Sequence, residues 1–480
     1  MYWESMVDAL LVHACSSGSG RTAVEDTEGK RLTYGELLGR ALAAARVLAE
    51  SYGLEPGGKV ALAPVNNVES VVALYSCWLA GLTVAVVDPL SHSDDLLMQL
   101  EISRPSILLT TGGFLDAHAE AARRAGVAVY TIEQLYSRAA PGTAWEGYWR
   151  PRAWEPALIY FYAGIAGRTM EVIHTHSTVT ASAVLTASHF SIGESDNILV
   201  TPPISHALGL QIATLAANAA AARATLYTKK GRLSPSRLLS DVGRASPTII
   251  IGAPQLYSAL LDAGAGSMKG LRFSISAGAP LPLRVKHAWE EKTGTPLLQL
   301  YGMTEAAPVS ATLPNDNPDG SIGVPVPGVE VAVTDPEEPG RSIRREGVGE
   351  LLVRGPVVMK GYGEEDETRN VMLRGWLRTG DIIEVREGHL YFRGVKKRMI
   401  KYKGYPIFPR DLELLLEKHP AVARAEVYGE PAGELGQVPV ARVWLRRGRS
   451  ASPEELMEWV NSRVAPYKRL RGVRIAGEEG

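Results

Sequence analysis

Short apolar runs rich in β-branched residues alternate with helix-like segments through the first two thirds of the chain. They include KVALAPV (59–65), TVAVVD (83–88), SILLTT (106–111) and VAVYTI (127–132), and a second series follows residues 148–156. Such runs are typical of parallel strands buried on both faces, because an exposed face would carry alternating polar residues. The pattern therefore predicts an α/β fold with two doubly wound units in one chain of 480 residues.

The texture of the sequence changes near Gly320. Strand-like runs such as GELLVRG and WLRTGDIIEV are then separated by Gly and Asp turns, which predicts an antiparallel sheet or a small β-barrel within the same large domain. Behind Gly394, a cationic, glycine-punctuated run precedes a mixture of helix-like and strand-like segments. We expect a large N-terminal domain over residues 1–394 and a small α+β domain over residues 395–480.

Charge and cysteine content exclude several classes of function. The 51 Lys and Arg residues nearly balance the 52 Asp and Glu residues, so a nucleic-acid partner is not expected. Cys15 and Cys77 are too few for a disulfide framework or a Cys-rich zinc site. The uncharged stretch from Val71 to Val87 contains Gly81, and a helix followed by a strand explains it better than a transmembrane segment. Because the N-terminus also lacks a basic leader, the sequence predicts a soluble cytoplasmic protein.

The pentapeptide YGMTE (301–305) follows an apolar strand-like run and precedes a loop. Ligands of α/β proteins bind at such strand ends. Glu305 could hold a divalent cation, Thr304 could donate to a phosphate, and Tyr301 has a flat face for a purine. The structural alternative is an ordinary strand-to-loop turn in which Thr304 and Glu305 are solvated.

Two further polar positions are candidates for a site. Asp381 in RTGD (378–381) follows a glycine and could accept hydrogen bonds from both hydroxyls of a ribose, although Asp after Gly is also common in plain turns. His206 in ISHALGL (204–210) precedes a helix of small residues. A packed or capping role is the ordinary one for such a histidine, and the mouth of a substrate pocket is the alternative.

Taken together and in this order, the motifs resemble the adenylate-forming superfamily of acyl-CoA synthetases, adenylation domains and firefly-type luciferases. The resemblance runs nearly from end to end. The matching segments are SAGAPL (276–281), YGMTE (301–305), GSIGVPVPG (320–328), GELLVRGPVVMKGY (349–362), GWLRTGD (375–381), IKYKGYPIFPRDLE (400–413) and APYKR (465–469).

The resemblance implies an ATP-dependent acid–thiol ligase that forms AMP. Such enzymes join a carboxylic acid to ATP as an acyl-adenylate, release pyrophosphate, and transfer the acyl group to CoA or a carrier protein. The implied cofactors are ATP, Mg²⁺ and CoA. The implied nucleotide-binding residues are Gly278, Ala279, Pro280, Tyr301, Gly302, Met303, Thr304, Asp381 and Arg393.

The resemblance assigns the remaining roles as well. The small domain of this family rotates between the two half-reactions, and the implied hinge falls on Lys397. A solvated basic linker is the structural alternative for this segment. By position, Thr304, Glu305 and Lys401 would be catalytic, Glu305 would bind the metal, His206, Gly252 and Gly302 would line the acyl pocket, and Lys401 and Gly404 would face CoA.

The sequence departs from the family in the loop that holds the phosphates. Where the family has threonines, this chain has Ile165 and Ala166, and where the family has lysine it has Met170. Without the resemblance, the loop would be interpreted as structural. Glu171 stands where the family has glycine, and its charge is expected to repel a triphosphate. Val395 stands at a position where the family usually has arginine. The sequence ends at RIAGEEG, before the family's C-terminal lysine loop. Arg168 and Lys468 are the cations that could substitute.

These departures leave alternative functions open. The first is an acyl-CoA ligase for an aliphatic or aryl acid, because PPISHALGL offers no acidic partner for the amino group of an amino acid. The second is a non-catalytic protein that binds AMP, acyl-adenylate or acyl-CoA. The third is a half-enzyme that performs only the thioester step. The expected partners are a small carboxylic acid, ATP and CoA, with a homodimer as an open possibility.

Overall fold

Two mainly parallel sheets, which we call sheet A and sheet B, form most of the N-terminal part. The computed structural model describes residues 3–16, 18–139, 145–163, 169–228, 235–336, 338–396, 400–403, 405–407 and 409–479. In spatial order, the strands of sheet A are Val324–Pro325, Ala306–Ala311, Leu297–Met303, Phe273–Ala277, Ile249–Gly252, Asn197–Val200, Arg223–Leu226, Thr22–Asp26 and Arg31–Thr33. Those of sheet B are Gly361–Tyr362, Thr169–Thr175, Pro156–Ala163, Thr83–Val86, Lys59–Leu62, Ile107–Thr110 and Ala128–Thr131.

The central strands of both sheets are parallel and buried, which confirms the predicted α/β class. Strand Ile249–Gly252 pairs in parallel with Asn197–Val200, and every residue of both strands is buried. The sheets do not follow the two halves of the chain, however, since Thr22–Asp26 pairs with Arg223–Leu226 across about 200 residues. Local hydrophobic patterns contain no information about such long-range pairing, and the sequence analysis therefore missed it.

Helices connect the strands of both sheets. Thr33 and Glu36 form a capping box at the start of one of them. The stretch read as a buried helix and strand is helix Val68–Leu79 followed by strand Thr83–Val86, with Gly81 at φ 76° between them. The α-helices are Met6–Cys15, Tyr34–Arg46, Val68–Leu79, Ser93–Ser103, Leu115–Ala125, Ile132–Arg138, His176–His189, Ala216–Ala219, Pro235–Ala245, Pro254–Asp262, Leu283–Thr293, Glu365–Val371, Pro409–Glu417 and Pro453–Asn461. Val47–Ser51 and Leu208–Leu215 are π-helical, and Gly112–Phe114, Gly433–Leu435 and Pro466–Lys468 are 3₁₀ turns.

An antiparallel sheet, which we call sheet C, follows the parallel sheets, as the Gly/Asp-punctuated sequence predicted. Its long central strand, Trp376–Arg386, presents Asp381. The strands of sheet C are Ile343–Arg344, Glu330–Thr334, Gly347–Arg354, Trp376–Arg386 and Met372–Leu373, with His389–Val395 also paired to Trp376–Arg386.

The C-terminal part has its own hydrophobic cluster, which includes Ile400, Leu412, Val427 and Leu456. It contains hairpin Ile400–Tyr402/Tyr405–Ile407 and a sheet of Val422–Pro431, Gln437–Arg446 and Gly472–Glu479. The last strand pairs in parallel with Gln437–Arg446, and the sequence analysis did not predict it or the hairpin. The domain boundary near Gly394 stays a prediction. Over the described parts of the chain, none of the helices has the length and apolar character needed to cross a bilayer.

Candidate active site

The chain reverses its winding direction between strands Asn197–Val200 and Ile249–Gly252 of sheet A. The first strand leads to Arg223–Leu226 on one side, and the second leads to Phe273–Ala277 on the other. Such a switch point opens a crevice at the carboxyl ends of the strands. His206 follows the first strand and Gly252 ends the second. A Cβ atom at Gly252 would lie 2.3 Å from Leu256 Cδ2 and 2.8 Å from Thr201 Oγ1, so a larger residue would require these side chains to move.

Tyr301 and Asp381 meet at the end of the neighbouring strand Leu297–Met303. The Tyr301 hydroxyl donates a 2.6 Å hydrogen bond to Asp381 Oδ2, and the Asp381 backbone N–H donates to Thr379 Oγ1 at 3.0 Å. Burial, reinforced by the Asp381 carboxylate, raises the pKa of Tyr301 well above its usual value. The phenol therefore stays protonated and orients a carboxylate that comes from sheet C.

Glu305 lies in the turn between strands Leu297–Met303 and Ala306–Ala311. Only 1% of its surface is exposed. The Tyr362 hydroxyl donates a 2.7 Å hydrogen bond to Glu305 Oε1, and burial together with this carboxylate raises the pKa of Tyr362. Oε2 accepts no hydrogen bond from the described residues. The carboxylate is therefore fixed through one oxygen, and its second oxygen remains available to a ligand.

His174 forms a hydrogen bond with Thr304, the residue before Glu305 in this turn. Its Nε2 lies 2.8 Å from the Thr304 carbonyl oxygen, and its Nδ1 lies 3.2 Å from Thr178 Oγ1. Burial lowers the pKa of His174 to about 4, although the hydrogen bond to the Thr304 carbonyl acts in the opposite direction and raises it. The imidazole is therefore neutral near pH 7 and donates its Nε2 proton to Thr304, which fixes the peptide between the two polar side chains of the turn.

Two buried histidines of the same segment predict a loss of stability in acid. Burial lowers the pKa of His174 to about 4 and that of His176 to about 3, from 6.5. The unfolded chain therefore binds more protons than the folded chain below pH 6.5, and the free energy of unfolding falls as the pH falls. We expect a loss on the order of 2 kcal/mol for each histidine at pH 5.

Urea unfolding at pH 7 and pH 5 checks this expectation. His174→Leu should reduce the difference between the two urea midpoints, because it removes one of the two groups. His92→Asn is a suitable control, since His92 caps a helix N-terminus and Asn also serves there. An unchanged pH difference in His174→Leu would contradict the assignment.

Lys401 reaches the same site from the small domain. It lies on strand Ile400–Tyr402 and is partly buried. Burial lowers the pKa of Lys401, and the carboxylates of Asp381 and Glu305 oppose that effect. None of the described residues forms a hydrogen bond or close ion pair with its ammonium group. The structure therefore brings together Tyr301, Asp381, Glu305 and Lys401, which are up to 100 residues apart in sequence.

At the mouth of the switch-point crevice, His206 faces Asp88. His206 Nε2 lies 3.7 Å from Asp88 Oδ2, and both atoms are buried without a hydrogen-bond partner among the described residues. Tyr405 of the small domain packs edge-on against the imidazole, with the ring centroids 5.9 Å apart. The structure thus places His206 at the contact between the large and small domains.

The remaining predicted residues have varied surroundings. Gly278, at φ 81°, begins the loop of Ala279 and Pro280 after strand Phe273–Ala277. Gly302 and Met303 lie at the end of Leu297–Met303, and a Cβ at Gly302 would lie 3.0 Å from Ala307 Cβ. Arg393 pairs with Glu384 on the surface, so a nucleotide contact from it stays a prediction. The predicted positions Lys397, Gly404, Ile165, Ala166 and Arg168 lie outside the described residues.

The structure changes the interpretation of Glu171. Its carboxylate is buried, and Lys59 Nζ lies 3.3 Å from Oε1. The expected repulsion of a triphosphate by Glu171 is therefore reduced, since an adjacent ammonium group offsets the charge. Lys468 pairs with Asp411 at 3.3 Å and Asp95 at 3.6 Å. In this orientation of the small domain, Lys468 contacts carboxylates, and not the turn at Thr304 and Glu305.

A magnesium ion fits this site only together with phosphate oxygens. Over the described ranges, no three His, Cys, Asp or Glu residues are grouped to hold a metal. Mg²⁺ in nucleotide sites is typically bound by one or two carboxylates, substrate phosphates and water. Glu305, with its available Oε2, is a suitable protein ligand of that kind.

Several residues of the site were missed in the sequence analysis. Tyr362, His174 and Asp88 lie in the runs GPVVMKGY, VIHTH and VVDPL. The polar side chains of His174 and Asp88 are unusual within or directly after buried strands, and this was the available signal. Tyr362 ends the family-like segment GELLVRGPVVMKGY (349–362), but a tyrosine in an apolar run is ordinarily a core residue, and it was therefore assigned no role.

Family comparisons match almost the whole chain. The model described as AMP-binding enzyme matches residues 11–363, and that described as AMP-binding enzyme C-terminal domain matches residues 411–479. The 4-coumarate–CoA ligase-like 4 of Oryza sativa subsp. japonica is 30% identical over 97% of this chain and 89% of its own length. The peroxisomal OPC-8:0-CoA ligase 1 of Arabidopsis thaliana is 29% identical over 95% and 87%.

A solved structure with a similar fold is a double mutant of o-succinylbenzoate CoA synthetase from Bacillus subtilis, bound with the product analogue OSB-NCoA. Its TM-score to this chain is 0.88 with 28% sequence identity, and the match covers 97% of this chain and 94% of that chain. Both domains therefore have counterparts in that protein.

Proposed function

Because the chain belongs to the AMP-binding enzyme family, we propose that it is an acyl-CoA ligase. It uses ATP to convert a carboxylic acid without an amino group into an acyl-adenylate and then transfers the acyl group to CoA. The observation that carries this proposal is the convergence of Tyr301, Asp381, Glu305 and Lys401 on one site. The CoA ligase names of the relatives support it against a non-catalytic binding protein.

The nucleotide occupies the site in a defined direction in this proposal. The Tyr301 ring and the loop of Gly278, Ala279 and Pro280 hold the adenine. The Asp381 carboxylate accepts hydrogen bonds from the ribose hydroxyls, and the Tyr301 hydroxyl keeps it oriented. Thr304 donates to the α-phosphate from a peptide that His174 fixes.

The first half-reaction joins the acid to the α-phosphate. A carboxylate oxygen attacks the α-phosphorus, and the bond to the pyrophosphate oxygen breaks. Mg²⁺, when bound, supplies positive charge to the phosphates. Glu305 is its protein ligand, and Tyr362 limits the rotation of this carboxylate. The acid lies in the switch-point crevice near His206, Gly252 and Gly302.

The second half-reaction transfers the acyl group to sulfur. The described orientation of the small domain suits this step, because Lys401 and Tyr405 both lie at the site. The similarity to a synthetase that holds a CoA product analogue supports the same view. Lys401 lies near the departing AMP, and CoA binds beside Lys401, with Gly404 as the second residue that the sequence assigns to this role.

The substrate class is an aliphatic or aryl carboxylic acid. The helical segment after His206 consists mainly of apolar and small residues, of which Leu210, Ile212 and Ala213 are buried. The relatives with CoA ligase names include 4-coumarate-like and OPC-8:0 enzymes. A cytoplasmic location, a hinge at Lys397 and a homodimer stay predictions.

Acid-dependent ATP–pyrophosphate exchange tests the first half-reaction. The purified chain is incubated with Mg²⁺, ATP and labelled pyrophosphate, together with octanoate, benzoate, 4-coumarate, malonate or 2-succinylbenzoate. Exchange with at least one acid, followed by thioester formation when CoA is added, is the expected result. Absence of both reactions across the panel would contradict the proposed function and favour the non-catalytic alternative. Thioester formed only from supplied adenylate would favour the half-enzyme.

A further inference from the structure

The mouth of the crevice contains a histidine and a carboxylate that face each other without a hydrogen bond. His206 Nε2 and Asp88 Oδ2 are 3.7 Å apart, and both atoms are buried. Buried polar atoms without partners are rare in proteins, and each one requires an explanation. A distance of this length shortens readily when a ligand closes the site or the ring gains a proton.

The two nitrogens of His206 have different surroundings. Nε2 faces Asp88, whereas Nδ1 has no partner among the described residues and is not among the enclosed polar atoms. The side chain is 36% exposed. A carboxylate at Nε2 favours the tautomer with a proton on that nitrogen, which leaves the lone pair of Nδ1 toward open space. This arrangement is suited to proton acceptance.

The Asp88 carboxylate is itself held in place. Its Oδ1 accepts a 2.9 Å hydrogen bond from the Leu90 backbone N–H, so Oδ2 is directed toward the histidine. Among the described residues, the other titratable group that contacts the His206 ring is Tyr405, which stacks on Tyr467 with ring centroids 4.6 Å apart. Burial raises the pKa of Tyr405 to about 12, so this phenol stays neutral and does not compete as a base. Lys468, next to Tyr467, is paired with Asp95 and Asp411.

We propose that His206 accepts the thiol proton during thioester formation and that Asp88 is its positioning residue. This inference rests on the proposed function, because it concerns the second half-reaction of that ligase. The proton of the S–H bond moves to His206 Nδ1, and the sulfur forms a bond to the acyl carbon. The bond from this carbon to the AMP oxygen breaks, AMP leaves with the electron pair, and the proton passes to solvent.

The test separates the two half-reactions in Asp88→Asn. Asparagine keeps the oxygen that accepts from Leu90 and removes the charge beside His206. Synthetic octanoyl-adenylate and benzoyl-adenylate are mixed with enzyme and CoA, and the thioester is measured by rapid quench. Pyrophosphate exchange is measured in parallel. At pH 7, we expect the ratio of thioester rate to exchange rate to fall at least about tenfold, since general bases contribute on the order of 10²-fold or more.

The pH dependence distinguishes a proton acceptor from a structural contact. A free thiol ionises by itself near pH 8.5. The deficit of Asp88→Asn should therefore shrink to about threefold or less at pH 9, because CoA then supplies its own thiolate. Asp88→Ala should behave in the same way. Asp94→Asn removes an exposed carboxylate that pairs with Arg124 and serves as the charge-matched control.

Each outcome has a defined meaning. A wild-type ratio in Asp88→Asn at pH 7 would overturn the inference while leaving the ligase intact. A deficit that is equally large at pH 9 would also overturn it, since a structural role would not respond to ionisation of the thiol. A wild-type protein that makes no thioester from either adenylate would contradict the CoA-transfer step of the proposed function, and the inference would fall with it.

Discussion

Glu305→Gln should lower acid-dependent pyrophosphate exchange by about a hundredfold or more, since a lost charge at a metal-assisted phosphoryl centre costs several kcal/mol. Glutamine has nearly the same shape, and its carbonyl oxygen can still accept the hydrogen bond that Tyr362 donates. The substitution therefore removes the negative charge and leaves the packing of this buried position in place. Exchange measured across a range of Mg²⁺ concentrations checks it, and we expect the half-saturating concentration to rise.

Two further variants define the meaning of that loss. Tyr362→Phe keeps the charge of Glu305 but removes the donor that fixes it, so its loss should be smaller, about tenfold or less. Glu338→Gln changes an exposed glutamate that pairs with Arg341 and should leave exchange unchanged. Exchange within about twofold of wild type in Glu305→Gln at every Mg²⁺ concentration would remove Glu305 as the metal ligand.

Asp381→Asn should weaken the binding of both AMP and ATP by about ten- to a hundredfold. Hydrogen bonds to charged groups contribute roughly 1.5–3 kcal/mol, and an amide can accept from only one side where the carboxylate can accept two ribose hydroxyls. Isothermal titration calorimetry with AMP measures this effect directly. It requires no knowledge of the carboxylic acid, so it tests the nucleotide site independently of the substrate.

Tyr301→Phe should weaken AMP binding by a smaller factor, because it removes the 2.6 Å bond that orients Asp381 but keeps an aromatic face. Asp366→Asn is the matched control, since Asp366 is an exposed carboxylate on helix Glu365–Val371. Equal AMP affinity in Asp381→Asn and wild type would show that the ribose lies elsewhere. The proposed orientation of the nucleotide in the site would then be wrong.

Much of the architecture was predictable because it depends on short-range patterns. Apolar β-branched runs such as IIIG in Ile249–Gly252 are buried in the sheet, since no amphipathic alternative was available to them. The Thr33–Glu36 capping box forms where the pattern indicated. Residue type and position alone made Thr304, Glu305 and Asp381 candidate site residues, and the resemblance assigned a role to each of them.

Other features depend on contacts between segments that are distant in sequence. The pairing of Thr22–Asp26 with Arg223–Leu226 and the hydrogen bond from Tyr362 to Glu305 have no local signature. The same is true of the Lys59 ammonium beside Glu171, which changed the expected effect of that charge on a triphosphate. The effect of a charged side chain depends on the charges next to it in the fold, and the sequence does not show which residues those are.

The sequence alone determined which chemical groups are available, namely the carboxylates of Glu305 and Asp381 and the imidazole of His206. Only the tertiary structure decided which of them act together. Asp88 and His206 are separated by more than 100 residues and meet 3.7 Å apart, because Asp88 follows a strand of sheet B and His206 follows a strand of sheet A, and the fold brings these two segments together. Hydrogen bonds form only near 3 Å, and interactions between charges weaken with distance and are screened by salt over about 10 Å. The function of such groups is therefore set by the packing of the sheets that carry them.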